Sequence, residues 1–302
     1  MLYGIIDVGS NTIRMAIYRI VGQDMEMLMK KKHVVGLAGY VKDGVMQQEG
    51  IDKAVKVLNE FQDFLHIFSI EHVYAFTTAA LRNAKNSQEA VAEIEARTGL
   101  KIEIISGDEE ATYDFVGATH CLDNPDGLLI DIGGGSTEIV VYHDKKIDFK
   151  TSLPIGSLSL KSMYVKGLFP YKRECDAMYE EVETLLSAET ELNGIEDSAI
   201  VGIGGTFKGA DALYQQMFHG KPEFHAMEAA RIPEMIAAFQ RDHDLTEEQT
   251  VMLMRAVPER MHTMLPGLII ADVLAKRFKC QSITYSDSGV REGYIYSHII
   301  KC

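Results

Sequence analysis

The chain has 302 residues, 46% of them hydrophobic and 25% charged, an ordinary globular composition with length for about two domains. Its formal net charge of −14 argues against non-specific binding to nucleic acid or to a membrane surface, both of which need a broad basic face. No apolar run approaches the roughly 20 residues of a membrane helix and nothing resembles a signal peptide; the four cysteines (Cys121, Cys175, Cys280, Cys302) lack CxxC spacing and read as free thiols of a reducing cytosol.

Residues 5–18, IIDVGSNTIRMAIY, read as an apolar strand ending at Asp7, a small-residue turn and a second alternating strand. A third strand is predicted at 25–30, and the KKKH run at 30–33 reads as a solvated strand end in preference to a substrate contact. Residues 47–68 carry Ile51, Val55, Leu58, Phe61, Leu65 and Phe68 at three-and-four spacing, which predicts a helix with one apolar stripe. A strand at 73–76, a helix at 87–98 stopped by Gly99, a strand at 101–105 and a helix opening at 106–110 complete a βββαβαβα half. The NPDG turn at 124–127 is the strongest boundary signal. It predicts domains of 1–123 and 124–289, with a closing helix at about 290–302 as a candidate to pack back on the first.

The second half repeats the opening. Residues 129–142, LIDIGGGSTEIVVY, overlay the first hairpin without a gap: Asp131 falls on Asp7, Gly133 on Gly9 and Tyr142 on Tyr18. A third strand follows at 147–150, then helices at 174–188, 206–217, 228–240 and 246–257, a strand at 282–285 and a helix at 291–301. Thr246 and Gln249 form a capping box for the helix they open.

Turns of Gly, Ser, Asn and Thr leave backbone N–H groups unobstructed, so they can converge on an anion, while the strand-end Asp can hold a cation against it. One such turn is weak evidence, because hairpins use these residues for backbone conformation alone. Two in register, each led by an Asp, suit a metal–phosphate site. The VGIGGT segment at 201–206 brings a strand into Gly204 and Gly205 and starts a helix at Thr206. That is favourable for a phosphate or a nucleotide edge, and equally a tight strand-to-helix turn. Asp108, Glu109 and Glu110 crowd one helix start, where the macrodipole alone accounts for carboxylates. One of the three can also accept a proton from water, and the residues themselves do not say which. Arg82 and Arg291, each beside small residues, are candidates for phosphate clamps or buried ion-pair partners. The ten histidines show no metal-ligand spacing, and His243 with Asp244 reads as surface.

Together these pieces resemble the exopolyphosphatase / guanosine pentaphosphate phosphohydrolase (Ppx/GppA) family, within the actin, sugar kinase and Hsp70 superfamily. The matching stretches are IDVGSNT (6–12), TTAALR (77–82), IISGDEEA (104–111), IDIGGGSTE (130–138), GGT (204–206), PER (258–260) with LPG (265–267), and GVREG (289–293), in family order from end to end. The resemblance implies an α/β fold of two duplicated ribonuclease-H-like domains around a central cleft, with the terminal phosphate held between both glycine loops. It implies Glu110 as the base for the attacking water. Asp131 and Glu138 match the family's magnesium-associated carboxylates; Asp7 matches the first phosphate-loop acid and is a third metal candidate. Phosphate binding is expected from Gly9, Ser10, Asn11, Thr12, Gly133, Gly134, Gly135, Ser136, Thr137, Gly204, Gly205 and Thr206, with Arg82 as a clamp.

The activity so implied is Mg²⁺- or Mn²⁺-dependent hydrolysis of the terminal phosphate of inorganic polyphosphate, in the cytoplasm, by a short two-domain member that forms a homodimer and binds neither nucleic acid nor membrane. The alternatives are hydrolysis of a guanosine pentaphosphate-like nucleotide, a non-catalytic sensor of polyphosphate or guanosine tetraphosphate, and an ATP-using kinase. Three departures bear on substrate and chain length: Thr112 where Arg often follows the helix motif, the HVVGL stretch at 33–37 where Arg-Leu and glycines are usual, and His262 in place of an Asp.

Overall fold

β1 (Leu2–Val8) and β2 (Thr12–Val21) pair antiparallel around the first small-residue turn, and β3 (Asp24–Val34) pairs antiparallel on the far side of β2. A short hairpin of β4 (Val41–Lys42) and β5 (Val45–Met46) leads into α1 (Gln48–Ile67). β6 (His72–Thr77) then lies parallel to β1; α2 (Ala79–Arg82) and α3 (Ser87–Thr98) follow, and β7 (Ile102–Ile104) lies parallel to β6. The sheet order is β3-β2-β1-β6-β7. This computed structural model describes residues 1–120, 125–197, 199–218, 226–242 and 244–300.

The predicted stripe of α1 is what fixes this helix. Ile51, Val55, Leu58, Phe61 and Leu65 are buried in one core with Ile6, Val8, Ile13, Met15 and Ile17 of the sheet, while Phe68 lies past the helix end and is 58% exposed. No side chain caps the α1 start. Full burial of Leu58 and Phe61, each worth about 1.5–3 kcal/mol, outweighs a missing cap worth about 1 kcal/mol. α3 has the predicted span, and Gly99 ends it in the left-handed region at φ +71.

α4 (Gly107–Thr119) carries the chain into the repeat: β8 (Gly127–Ile132), β9 (Thr137–His143) and β10 (Lys146–Leu153). After them come α5 (Ser157–Tyr164), α6 (Lys172–Ala188), β11 (Ala199–Ile203), α7 (Gly204–Phe218), β12 (Ala226–Glu228), α8 (Ile232–Phe239) and α9 (Glu247–Ala256). α10 (Met261–Arg277), β13 (Ser282–Ser286) and α11 (Val290–Ile295) follow, and a π-helical turn Tyr296–Ile300 comes after α11. The second sheet runs β10-β9-β8-β11-β13-β12. Its first five strands repeat the first sheet, an antiparallel triplet and then two parallel strands, with β12 added antiparallel at one edge. The duplication read from the two hairpins is therefore a duplication of the whole sheet.

The chain divides into a unit of Met1–Glu110 joined by the stretch from Tyr294 onward, and a unit of Ala111–Gly293. The division falls inside α4, ahead of the turn at 124–127, of which Asn124 lies outside the described residues. The cause is packing: Ala111, Phe115 and Ala118 of α4 are buried with Leu129, Val140, Tyr142 and Ile203 of the second unit. From the other side, the Tyr294 ring stacks on Phe76 at 5.1 Å and its hydroxyl donates to Glu103 at 2.8 Å, both in the first unit.

The sequence reading missed α10, the helix at the centre of the second core. Thirteen consecutive residues, from Thr263 to Ala275, are buried. A helix apolar all round has no stripe to detect, and the Pro266–Gly267 pair reads as a breaker. α5 was missed as well, and the predicted helix at 228–240 is shorter because β12 and a 3-10 turn (Ala229–Arg231) occupy its start. Both third strands are longer than predicted. The Thr246–Gln249 capping box is present, Gln249 N–H donating to Thr246 Oγ1 at 3.2 Å. Cys175 and Cys280 are free thiols, pushed up to about 11 and about 12 by burial; Cys121, Cys302 and His243 lie outside the described residues. Among the described residues no helix is long and apolar enough to cross a membrane.

Candidate functional site

The two predicted phosphate turns close by the same bond. Gly9 N–H donates to Thr12 O at 3.1 Å and Gly133 N–H donates to Ser136 O at 3.0 Å. A Cβ at either glycine would lie about 3 Å from that carbonyl (3.0 and 3.1 Å), so the bend needs glycine for room. The strand entering each turn is tied to a neighbouring element by a threonine: Thr77 Oγ1 at the end of β6 donates to Val8 O at 3.0 Å, and Thr206 Oγ1 in the first turn of α7 to Ile132 O at 2.7 Å.

The carbonyls of both turns are spent on neighbouring backbone. Ser10 O accepts from Ala38 N–H, and Asn11 O from Val35 and Gly36 N–H, at 2.9–3.0 Å. In the second unit Gly133 O accepts from Ser157 N–H and Gly134 O from Leu158 and Ser159 N–H, each at 2.9 Å. With the carbonyls turned away, the N–H groups of Ser10, Asn11, Gly134 and Gly135 donate to no acceptor among the described residues. Successive free N–H groups in a tight turn form a concavity for an anion. The Asn11 side chain adds to this, 4% exposed with neither amide atom bonded among the described residues, whereas buried amides almost always have partners. Sequence reasoning missed Gly156, where a Cβ would sit 2.6 Å from Gly134 C and Gly135 N; only glycine lets α5 start against the loop. Gly267, quoted in the LPG stretch without a role, seats α10 against Thr206 and Ser157.

The acids lie on corresponding rungs with different partners. Asp7 sits opposite Arg14 across β1 and β2, with Nη1 3.2 Å from Oδ2. Asp131 sits opposite Glu138 across β8 and β9, the same position of the repeat, so there two carboxylates share one rung. Glu138 is fully buried and accepts from Ser152 Oγ at 2.7 Å. Behind Asp131 is Gly204, at φ +80, where a Cβ would collide with Oδ1; one at Gly205 would collide with the Arg260 guanidinium. α7 starts at Gly204, two residues earlier than predicted.

The three acids at the α4 start separate cleanly. Glu109 turns back on its own helix: Oε2 accepts from the N–H and hydroxyl of Ser106, both at 2.8 Å, and these bonds hold its carboxyl below the usual range. Asp108 is exposed. Glu110 is buried, with Oε2 2.5 Å from Arg82 Nη1 and the paired side chains 10% and 13% exposed. Arg82 also donates to Ile105 O at 3.3 Å and to Asn83 Oδ1 at 3.2 Å. Of the two predicted readings of Arg82, the ion-pair partner is therefore the one its contacts describe. Arg291 lies 4.0 Å from the adjacent Glu292. The predicted residues thus form two sets: Asp7, Gly9, Ser10, Asn11, Thr12, Arg82 and Glu110 in the first unit, and Asp131, Gly133 to Glu138 and Gly204 to Thr206 in the second.

Comparison with known proteins gives a family match. The model of the Ppx/GppA phosphatase family matches residues 16–301. The chain is 29% identical to a candidate exopolyphosphatase of Haemophilus influenzae, over 97% of this chain and 90% of that protein. It is 27% identical to a guanosine-5'-triphosphate,3'-diphosphate pyrophosphatase of Photobacterium profundum, where it spans 99% of itself and 60% of the relative. Among solved structures, the Aquifex aeolicus Ppx/GppA family member matches with a TM-score of 0.76 and 27% identity, over 100% of this chain and 98% of that one. An exopolyphosphatase from Cytophaga hutchinsonii shares the fold at a TM-score of 0.84, with 23% identity over 98% and 97% of the two chains.

Proposed function

The chain belongs to the Ppx/GppA phosphatase family, and we propose that it is a Mg²⁺-dependent exopolyphosphatase that releases orthophosphate from the end of inorganic polyphosphate. The observation that carries this is the pair of equivalent turns, each with two successive N–H groups that no acceptor among the described residues takes. Polyphosphate is a poor electrophile because its own charge repels an incoming oxygen, so its hydrolysis depends on neutralising phosphate oxygens and positioning water. The turns do the first. Glu110 does the second, taking a proton as the water oxygen attacks the terminal phosphorus and the bridging P–O bond breaks toward the shortened chain. Arg82, at 2.5 Å, holds the Glu110 carboxylate in one orientation and compensates its charge.

Asp131 and Glu138 fit a divalent ion. Two carboxylates directly opposite on neighbouring strands repel each other, and hard oxygen donors are the ligands Mg²⁺ or Mn²⁺ prefers. An ion bound there supplies charge neutralisation at the phosphate. Asp7 is the weaker metal candidate, because Arg14 already balances it.

A guanosine pentaphosphate-like nucleotide is the second reading, favoured by the 27% identity to the Photobacterium protein across nearly all of this chain. Phosphate release measured in parallel on long polyphosphate, short polyphosphate and guanosine pentaphosphate, each with Mg²⁺, separates the two. Release from none of the three refutes the proposal; release from the nucleotide alone favours the second reading.

A further inference from the structure

Gly267 lies in the buried middle of α10, where alanine is the better helix former. Contact explains the glycine. A Cβ there would sit 2.5 Å from Thr206 Cγ2 and 3.4 Å from Ser157 Cβ. Both side chains are buried, and both end on the second turn: Thr206 Oγ1 donates to Ile132 O at 2.7 Å and Ser157 Oγ to Gly133 O at 3.1 Å. A carbonyl and the N–H of the next residue share one rigid peptide plane and point in opposite directions. The bond to Ile132 O therefore orients the Gly133 N–H that closes the turn on Ser136 O. The bond to Gly133 O orients the Gly134 N–H, one of the two that donate to no acceptor among the described residues. Asp131, one residue before Ile132, carries the rung shared with Glu138.

We propose that Gly267 is a positioning residue for the second turn: it lets α10 back Thr206 and Ser157 so closely that their hydroxyls fix where the anion-binding N–H groups point. The proposal rests on the phosphohydrolase reading above. Thr206 is what makes the contact demanding. Its Cγ2 and Oγ1 ride on one Cβ, and a β-branched side chain is stiff at χ1. Rotating Cγ2 away from a Cβ on residue 267 swings Oγ1 off Ile132 O, and translating the side chain pushes Ile132 with it. A close-packed interior transmits such strain. The first turn is held by other means, with Ser10 O and Asn11 O accepting from the backbone N–H groups of Val35, Gly36 and Ala38. The dependence on α10 therefore belongs to the turn whose rung carries two carboxylates.

The test is a double-variant cycle of Gly267→Ala and Thr206→Ser. Serine lacks Cγ2, the atom a new Cβ would strike, and keeps the hydroxyl for Ile132 O. Phosphate release from polyphosphate with Mg²⁺ gives kcat and KM, and a thermal melt gives stability. Gly267→Ala should melt lower than wild type and lose about ten- to a hundredfold in kcat/KM, the scale of a small misplacement of binding groups. In the Thr206→Ser background the same substitution should cost less than about threefold and leave the melt where that background has it. Ser157→Ala leaves α10 untouched and carries the test if Gly267→Ala does not fold. It should lower kcat/KM by about three- to tenfold, the smaller loss because Ser157 N–H still holds Gly133 O. Ile269→Ala, on the opposite face of α10, should melt lower with kcat/KM within about twofold of wild type. Three results overturn the positioning role and leave the hydrolase reading intact: an equal Gly267→Ala loss in both backgrounds, wild-type kcat/KM in Gly267→Ala or Ser157→Ala, or a matching loss in Ile269→Ala. A wild-type protein that releases no phosphate from polyphosphate overturns both.

Discussion

Glu110→Gln isolates the proposed water-activating base. The side chain is buried, with Oε2 2.5 Å from Arg82 Nη1. Gln keeps the shape and can still accept a hydrogen bond from the guanidinium, so the ion pair becomes a neutral–charged bond. That change costs about 1–2 kcal/mol of stability, the difference between a fully charged and a half-neutral contact. Glu110→Ala is less informative, since it leaves the Arg82 guanidinium buried without this carboxylate and costs about 3–5 kcal/mol. A lost general base costs about 10²–10⁴ in rate, or roughly 2.7–5.4 kcal/mol of transition-state stabilisation. The kinetic effect therefore exceeds the structural one, and the two can be read separately. Initial rates of phosphate release at saturating polyphosphate and Mg²⁺ give kcat, and a thermal melt in the same buffer gives stability. The expected variant binds polyphosphate with nearly the wild-type affinity, melts a few degrees lower and turns over at least a hundredfold more slowly. A kcat within threefold of wild type, with the protein folded, removes Glu110 from the role.

The asymmetric rungs predict different metal responses: Asp131→Asn should raise the Mg²⁺ concentration for half-maximal activity by tenfold or more, while Asp7→Asn, whose carboxylate is balanced by Arg14, should raise it much less. Equal shifts in a Mg²⁺ titration would refute the assignment. Gly204→Ala should destabilise by more than about 1 kcal/mol and lower activity, because φ is +80 and the new Cβ would strike Asp131 Oδ1; a denaturant midpoint equal to wild type would contradict the geometry. Glu109→Ala should cost about 0.5–2 kcal/mol at pH 7 through the lost Ser106 bonds. The Glu109 carboxyl is held below its ordinary value of 4.5 in the fold, so its contribution is present above that value and disappears as pH falls through the lower, folded one. Denaturant melts of Glu109→Ala and wild type should therefore converge at acid pH, and a gap that persists there would exclude the ionised cap.

What was legible in the sequence was what local periodicity encodes. The two hairpins announced a repeat, and the whole five-strand order repeats with them; α3 has its predicted ends because Gly99 stops it in the left-handed region. The three acids of α4 were not told apart by the residues alone; the capping box that Ser106 and Glu109 form in the fold is what occupies Glu109. β3 runs past its predicted end at residue 30 to Val34, so the basic run at 30–33 alternates between the two faces of an edge strand. The rest required the fold. Arg82 and Glu110 are 28 residues apart on different helices, and nothing in either motif states that they pair. α10 gave no period because packing surrounds it, and the glycines at 156 and 267 carry meaning only through the backbones and side chains they let approach.

The repeat also explains why one architecture supplies two unlike turns. Strand register makes residues 7 and 14, and 131 and 138, cross-strand neighbours by construction, so a single residue decides the charge of each rung. With Arg14 the first rung sums to zero, and its turn offers an anion only N–H groups and a pre-balanced acid. With Glu138 the second rung instead sets two carboxylates side by side. At a separation of about 5 Å and an effective dielectric near 20, two such charges repel by about 3 kcal/mol. A divalent ion on the rung would, in the proposed function, turn that repulsion into ligation and leave its remaining charge for a phosphate oxygen. On the proposed reading the cation requirement therefore belongs to the second turn alone.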